Sequence, residues 1–176
     1  MSLAPAVLVT DQGHIFRGFS WAAKGCACGR LVVDTSISGY QRALTDPENE
    51  GAIVLFTSPH IGNVGIHEGD ALSDRMQAAG LILREPTRIT SNWQAEGDLR
   101  PALENENVVA VAKVDTRAIA RIAVKNPDTL VGIFSGDCLP EALDDLSEST
   151  PIPRSIVNEL VERVKNAGKN GDAKCH

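Results

Sequence analysis

Aromatic side chains are scarce in this 176-residue chain: two Trp, one Tyr and four Phe, 4% of the total. So thin a supply excludes the stacking platforms on which single-stranded nucleic acid is held. Positive charge is also in deficit. Seventeen Lys and Arg stand against 23 Asp and Glu, and a formal net charge of -6 opposes any sequence-independent binder of phosphate backbones. No apolar run approaches the ~18 residues of a membrane span. The Met-Ser-Leu-Ala-Pro start has neither the basic region nor the apolar core of a secretory leader. The expectation is a cytoplasmic protein with no nucleic-acid or membrane partner.

Cysteine is sparse as well, at Cys26, Cys28, Cys138 and Cys175. The C-x-C pair is tighter than zinc spacing allows and no His-x₃₋₅-His follows, so ordinary reduced thiols are expected, with no metal and no cofactor. A nucleophile elbow follows a strand, whereas Gly25-Cys-Ala-Cys-Gly29 precedes one and reads as a flexible link. His14, His60, His67 and His176 are scattered, and no motif sets a serine or cysteine beside any of them. Gly62-Asn-Val-Gly65 matches neither dinucleotide nor P-loop patterns. No catalytic residue is assigned.

What is present is a chain long enough for one domain, which at this size buries roughly 70% of its unfolded surface. Ala6–Thr10 and His14–Phe19 read as a hairpin around Asp11-Gln12-Gly13, and Arg30–Thr35 as a third strand. Further strands are expected at Gly51–Phe56, Gly80–Arg84, Asn107–Val114 and Thr129–Phe134. Short helices are expected at Asp74–Ala79, capped by Ser73, at Asp98–Glu104 and at Pro140–Leu146. Asp115 is placed as N-cap of a helix Thr116–Lys125 that Asn126-Pro127 ends. Residues 1–146 form the domain. Residues 147–176 form a linker, an amphipathic helix Ser155–Val164 and a polar tail. The helix aligns Ile156, Leu160, Val161 and Val164 for packing on the domain or for a partner. The class is mixed α/β around one layered core.

Two turn-rich segments flank the apolar run Gly51–Phe56, and loops so rich in Gly, Pro, Asn and Asp hold special backbone shapes. Tyr40, Gln41, Asp46, Pro59 and Asn63 lie in them. Tyr40 and Trp93 are open to two readings, interface anchor or core. Asp115 and Arg117 are open to two as well. Arg117 meets an external anion at a helix N-terminus, or Asp115 caps while Arg117 pairs with a neighbouring acid.

With these residues in view, the chain resembles the N-terminal domain of the small subunit of glutamine-hydrolysing carbamoyl phosphate synthetase. Asp34-Thr-Ser-Ile-Ser-Gly-Tyr-Gln-Arg-Ala-Leu-Thr-Asp-Pro47 resembles the family's N-T-S-M-T-G-Y-Q-E-x-L-T-D-P, and Ser58-Pro-His-Ile-Gly-Asn-Val-Gly65 its Y-P-H-I-G-N-x-G. Ala79–Arg84, Ser91-Asn92-Trp93 and Val114-Asp-Thr-Arg117 follow in the family's order.

The resemblance implies a three-layer β/β/α swivelling-type fold and a non-catalytic docking role on the large synthetase subunit. The whole enzyme makes carbamoyl phosphate for arginine and pyrimidine synthesis, with ammonia from an amidotransferase half. No G-x-C-x-G-x-Q turn follows Asp144, so glutamine hydrolysis is not expected here, and a separate amidotransferase chain becomes a further expected partner. Tyr40, Gln41, Asp46, Pro59, Asn63, Asp115 and Arg117 are the residues expected to shape the loops or meet the partner, and Tyr40→Ala is expected to weaken association without unfolding. Arg42 and Arg30 stand where the family has Glu, and Asp34 where it has Asn. These reversals bear on docking and support a rival reading, a diverged stand-alone paralogue acting as a protein-binding or regulatory module.

Overall fold

The computed structural model describes residues 4–37, 39–62, 66–86, 97–143 and 150–171, with His60 and Glu68 described by backbone alone. The chain opens on the expected hairpin, β1 (Pro5–Thr10) and β2 (Ile15–Ser20), in antiparallel register with Leu8 opposite Phe16. Gly13, at φ 91°, makes the turn, and the Thr10 hydroxyl accepts the His14 amide at 3.1 Å.

The third strand differs from expectation. β3 (Cys26–Asp34) begins four residues before Arg30, so the glycine-flanked cysteines belong to a strand and not to a flexible link. Two partners explain the difference. Cys26–Arg30 pair antiparallel with β9 (Leu130–Ser135), while Leu31–Asp34 pair parallel with β4 (Ile53–Phe56). Tertiary pairing thus overrides the low strand propensity of glycine. Cys28 is disulfide-bonded, against the expectation of reduced thiols, whereas Cys26 and Cys138 form no disulfide. Cys175 lies outside the described residues.

β6 (Gly80–Ile82) and β8 (Val109–Ala112) continue the parallel set, and β8 meets β2. Because β9 also pairs with β1, the sheet closes into a barrel of seven strands in the order β1-β2-β8-β6-β4-β3-β9. Closure leaves no open edge along these strands. β5 (His60–Ile61) and β7 (Glu85–Pro86) form a small parallel pair beyond the barrel.

The period of two in each strand sorts side chains between inside and outside. Leu8, Ile53, Leu55, Val109, Val111 and Ile133 point into one cluster, the barrel interior. On β4 and β8 the alternate residues Val54, Phe56, Ala110 and Ala112 face outward, beneath α1 (Tyr40–Thr45) and α2 (Leu99–Asn105). On β1, Val7 and Val9 lie beneath α4 (Arg154–Asn170). α3 (Thr116–Lys125) packs Ile119 on the interior cluster. The helix expected at Ser155–Val164 is thus longer at both ends. Its apolar stripe does pack on the domain: Leu160, Val161 and Val164 are buried, each worth about 1.5–3 kcal/mol. No helix forms at Asp74–Ala79, where Ser73 donates its hydroxyl to the Thr45 carbonyl at 2.5 Å instead of capping. At Pro140–Leu146 the described part is a single 3-10 turn, Glu141–Leu143.

Candidate functional site

The strands β3, β4, β6 and β8 run parallel, so their carboxyl ends share one rim of the barrel. The motif loops leave from there. Thr57 donates its amide to the Asp34 carbonyl at 3.1 Å, Leu83 to Val111 at 3.0 Å, and Lys113 to Arg84 at 2.9 Å. The segments 34–37, 39–41, 57–62, 84–86 and 113–117 are therefore neighbours although far apart in sequence. Carboxyl ends of parallel strands are the usual address of functional loops in α/β folds.

Each loop is held by a particular device. Asp34 Oδ1 accepts the Ser36 amide at 2.7 Å, an Asx turn in which aspartate serves where the family's asparagine stands. Gly39, in the left-handed region at φ 88°, turns the chain into α1. Between them Ile37 stands 88% exposed, an apolar tip on a tied-down loop.

The expected site residues fall into distinct places. Tyr40 is only 4% exposed, and its ring meets Phe56 edge-on at 6.5 Å between centroids. Within the chain Tyr40 packs in the core, because the first turn of α1 lies flat on β4. Gln41 is buried and works on the loops. Its Nε2 donates to the His67 carbonyl at 2.9 Å and its Oε1 accepts the His67 amide at 2.8 Å. Asp46 lies at the other end of the barrel, where it caps the 3-10 turn Pro47–Asn49 by accepting the Glu48 amide at 2.9 Å.

Pro59 is exposed at the rim, one residue before β5. Asp115 caps α3, its Oδ1 accepting the Ala118 amide at 3.0 Å, as the sequence predicts. Arg117 is exposed, and among the described residues it makes no ion pair with an acid. Asn63 and Trp93 lie outside the described residues.

Arg30 is exposed and donates to the Glu48 carbonyl. Arg42 is exposed near the end of α1. Among the described residues no cluster of three or more His, Cys, Asp or Glu is placed to hold a metal ion. Likewise no helix there is long and apolar enough to cross a membrane. Sequence reasoning missed Ile37 as a surface feature. Its position between two serines in a polar loop was the available signal, since an apolar residue there has no strand face to turn to.

The sequence profile described as carbamoyl-phosphate synthase small chain, CPSase domain, matches residues 8–133. The carbamoyl phosphate synthase small chain of Streptomyces coelicolor is 40% identical over 160 residues, covering 91% of this chain and 42% of that protein. The small chain of Photobacterium profundum is 41% identical over 138 residues, 78% of this chain and 36% of that protein. That of Bifidobacterium longum is 38% identical over 161 residues, 92% and 38% respectively. The chain thus spans about two-fifths of the length of these relatives. An aminopeptidase from an Aneurinibacillus strain aligns at a TM-score of 0.44 and 13% identity over 77% of this chain and 31% of that one, too slight to bear on fold or function.

Proposed function

The chain belongs to the carbamoyl-phosphate synthase small-chain family through its CPSase domain, and on that premise we propose that it is a non-catalytic docking domain for the large synthetase subunit. In this reading it serves glutamine-dependent carbamoyl phosphate synthesis, for arginine and pyrimidine production, in the cytoplasm. α4 covers one outer face of the barrel and α1 with α2 another, an arrangement that suits the three-layer swivelling fold we propose for it. The observation that carries the reading is the gathering of four motif loops on one rim, with Ile37 88% exposed at its tip. Buried clamps such as Gln41 on His67 fix the backbone there without offering a nucleophile or a base. A shaped, rigid surface with an apolar tip suits binding, because preorganised loops lose little entropy on association.

The direct test mixes the purified chain with the large subunit from the same organism, follows co-elution by size exclusion, and assays carbamoyl phosphate formation from ammonia and from glutamine. Co-elution is expected, with ammonia supporting synthesis and glutamine supporting none until an amidotransferase chain is added. Separate elution at micromolar concentrations contradicts the proposal. A second reading, a diverged paralogue that binds another protein, draws on Arg42 and Arg30, both exposed where the resemblance calls for Glu. Capture of a different partner with no affinity for the large subunit would establish it.

A further inference from the structure

The outer face of α3 carries charge of one sign. Arg117, Arg121 and Lys125 succeed one another at intervals of four, so they stack along one side of the helix, and all three are exposed. Val124, 83% exposed, stands in the same stripe. No acidic residue interrupts the helix. None of the three bases makes an ion pair or side-chain hydrogen bond among the described residues.

On two other helices a base does meet an acid, although Arg42 on α1 and Arg154 and Lys169 on α4 are likewise without an ion pair among the described residues. On α2, Arg100 meets Glu104 at 2.9 Å, and on α4, Lys165 meets Glu162 at 3.5 Å. A chain with a formal charge of -6 has acids to spare, yet among the described residues none forms an ion pair with the α3 stripe. Arg117 also lies in the first turn, where the positive end of the helix dipole disfavours a cation. Asp115 does not relieve it, since the Asp115 carboxylate is directed to the Ala118 amide. The placement works against the isolated domain and is offset when carboxylates arrive from outside.

We propose that this face of α3 is a docking surface for an acidic patch of the large subunit, its carboxylates spaced about 6 Å apart to match the rise of four helical residues, with Val124 seated against an apolar spot among them. The inference rests on the docking reading and adds to the rim a second contact of defined chemistry. Arg117, in the turn that follows the rim loop 113–115, joins the two surfaces.

The test titrates the large subunit with the wild-type chain, with R117E/R121E/K125E, and with R154E/K165E/K169E on α4, which changes net charge equally, at low and at moderate salt. The wild type is expected to bind less tightly as salt rises. The α3 reversal is expected to lose about tenfold or more in affinity and most of that salt dependence, while the α4 reversal binds as the wild type does. Thermal melts show whether each variant is folded, and R117Q/R121Q/K125Q supplies a milder loss if the reversal is not. Equal losses in the α3 and α4 variants, or none in the α3 set, overturn the α3 surface while leaving docking intact. Salt-dependent self-association through the stripe in place of large-subunit binding overturns it too. Failure of the wild type to bind overturns the docking reading and this surface together.

Discussion

Gln41 grips the backbone of His67 with both ends of its amide, donating to the carbonyl at 2.9 Å and accepting from the N–H at 2.8 Å. This is the pairing one strand gives another, supplied by a side chain that is only 6% exposed. It ties α1 to the loop beyond β5 across 26 residues. Gln41→Ala removes both bonds and strands two partly buried backbone groups. Urea unfolding should show a loss of about 2–3 kcal/mol, with Gln41→Glu falling between, since a carboxylate accepts but cannot donate.

Tyr40 calls for the same experiment with a larger outcome. Its ring fills the space between α1 and Phe56. Tyr40→Ala should cost about 3–5 kcal/mol, visible as a lowered melting temperature, while Tyr40→Phe, which keeps the edge-on contact, costs far less. Loss of partner binding by Tyr40→Ala at unchanged stability, the outcome expected from sequence, would contradict the buried placement.

The contrast between these residues shows what the sequence can carry. The hairpin, α3 with its Asp115 cap, and the buried runs at Ile53 and Val109 were legible because local periodicity and capping decide them. Barrel closure was not. It depends on β9 returning between β1 and β3, a pairing between residues more than a hundred apart, such as Leu8 with Ile133. The same non-local pairing made strand residues of Cys26 and Cys28. At the site, the motif loops were found but their sorting was hidden. Nothing in Gly-Tyr-Gln-Arg says that the tyrosine and glutamine turn inward while the arginine stays outside, which depends on how α1 lies on β4.

Asp115 and Arg117 separate stability from surface chemistry within three residues. Asp115→Ala removes the cap bond to Ala118 and should destabilise by about 1 kcal/mol. Arg117→Ala, at an exposed position with no ion pair among the described residues, should leave stability within about 0.5 kcal/mol. Differential scanning calorimetry on both variants checks this, and a large loss from Arg117→Ala would reveal an intramolecular role.

Gly29 marks a close approach of β3 to the turn that precedes β4. An added Cβ would fall against the carbonyl oxygen of Gly51, a rigid backbone group that cannot swing away. Gly29→Ala should cost about 1–3 kcal/mol through overpacking. Gly69→Ala, with nothing within 4 Å of the added carbon, should be neutral within about 0.5 kcal/mol by chemical denaturation.

The rim is the proposed binding surface, and among its described residues Ile37 is the most exposed apolar side chain, at 88%. The most direct measurement is the affinity of the large subunit for the wild-type chain and for Ile37→Asp, by isothermal titration, with melting curves taken alongside. An exposed tip contributes little to folding, so the melts should coincide. The variant should bind at least about tenfold more weakly, since a charge then has to be desolvated where an apolar group was buried. Wild-type affinity in the Ile37→Asp chain would contradict docking through the rim.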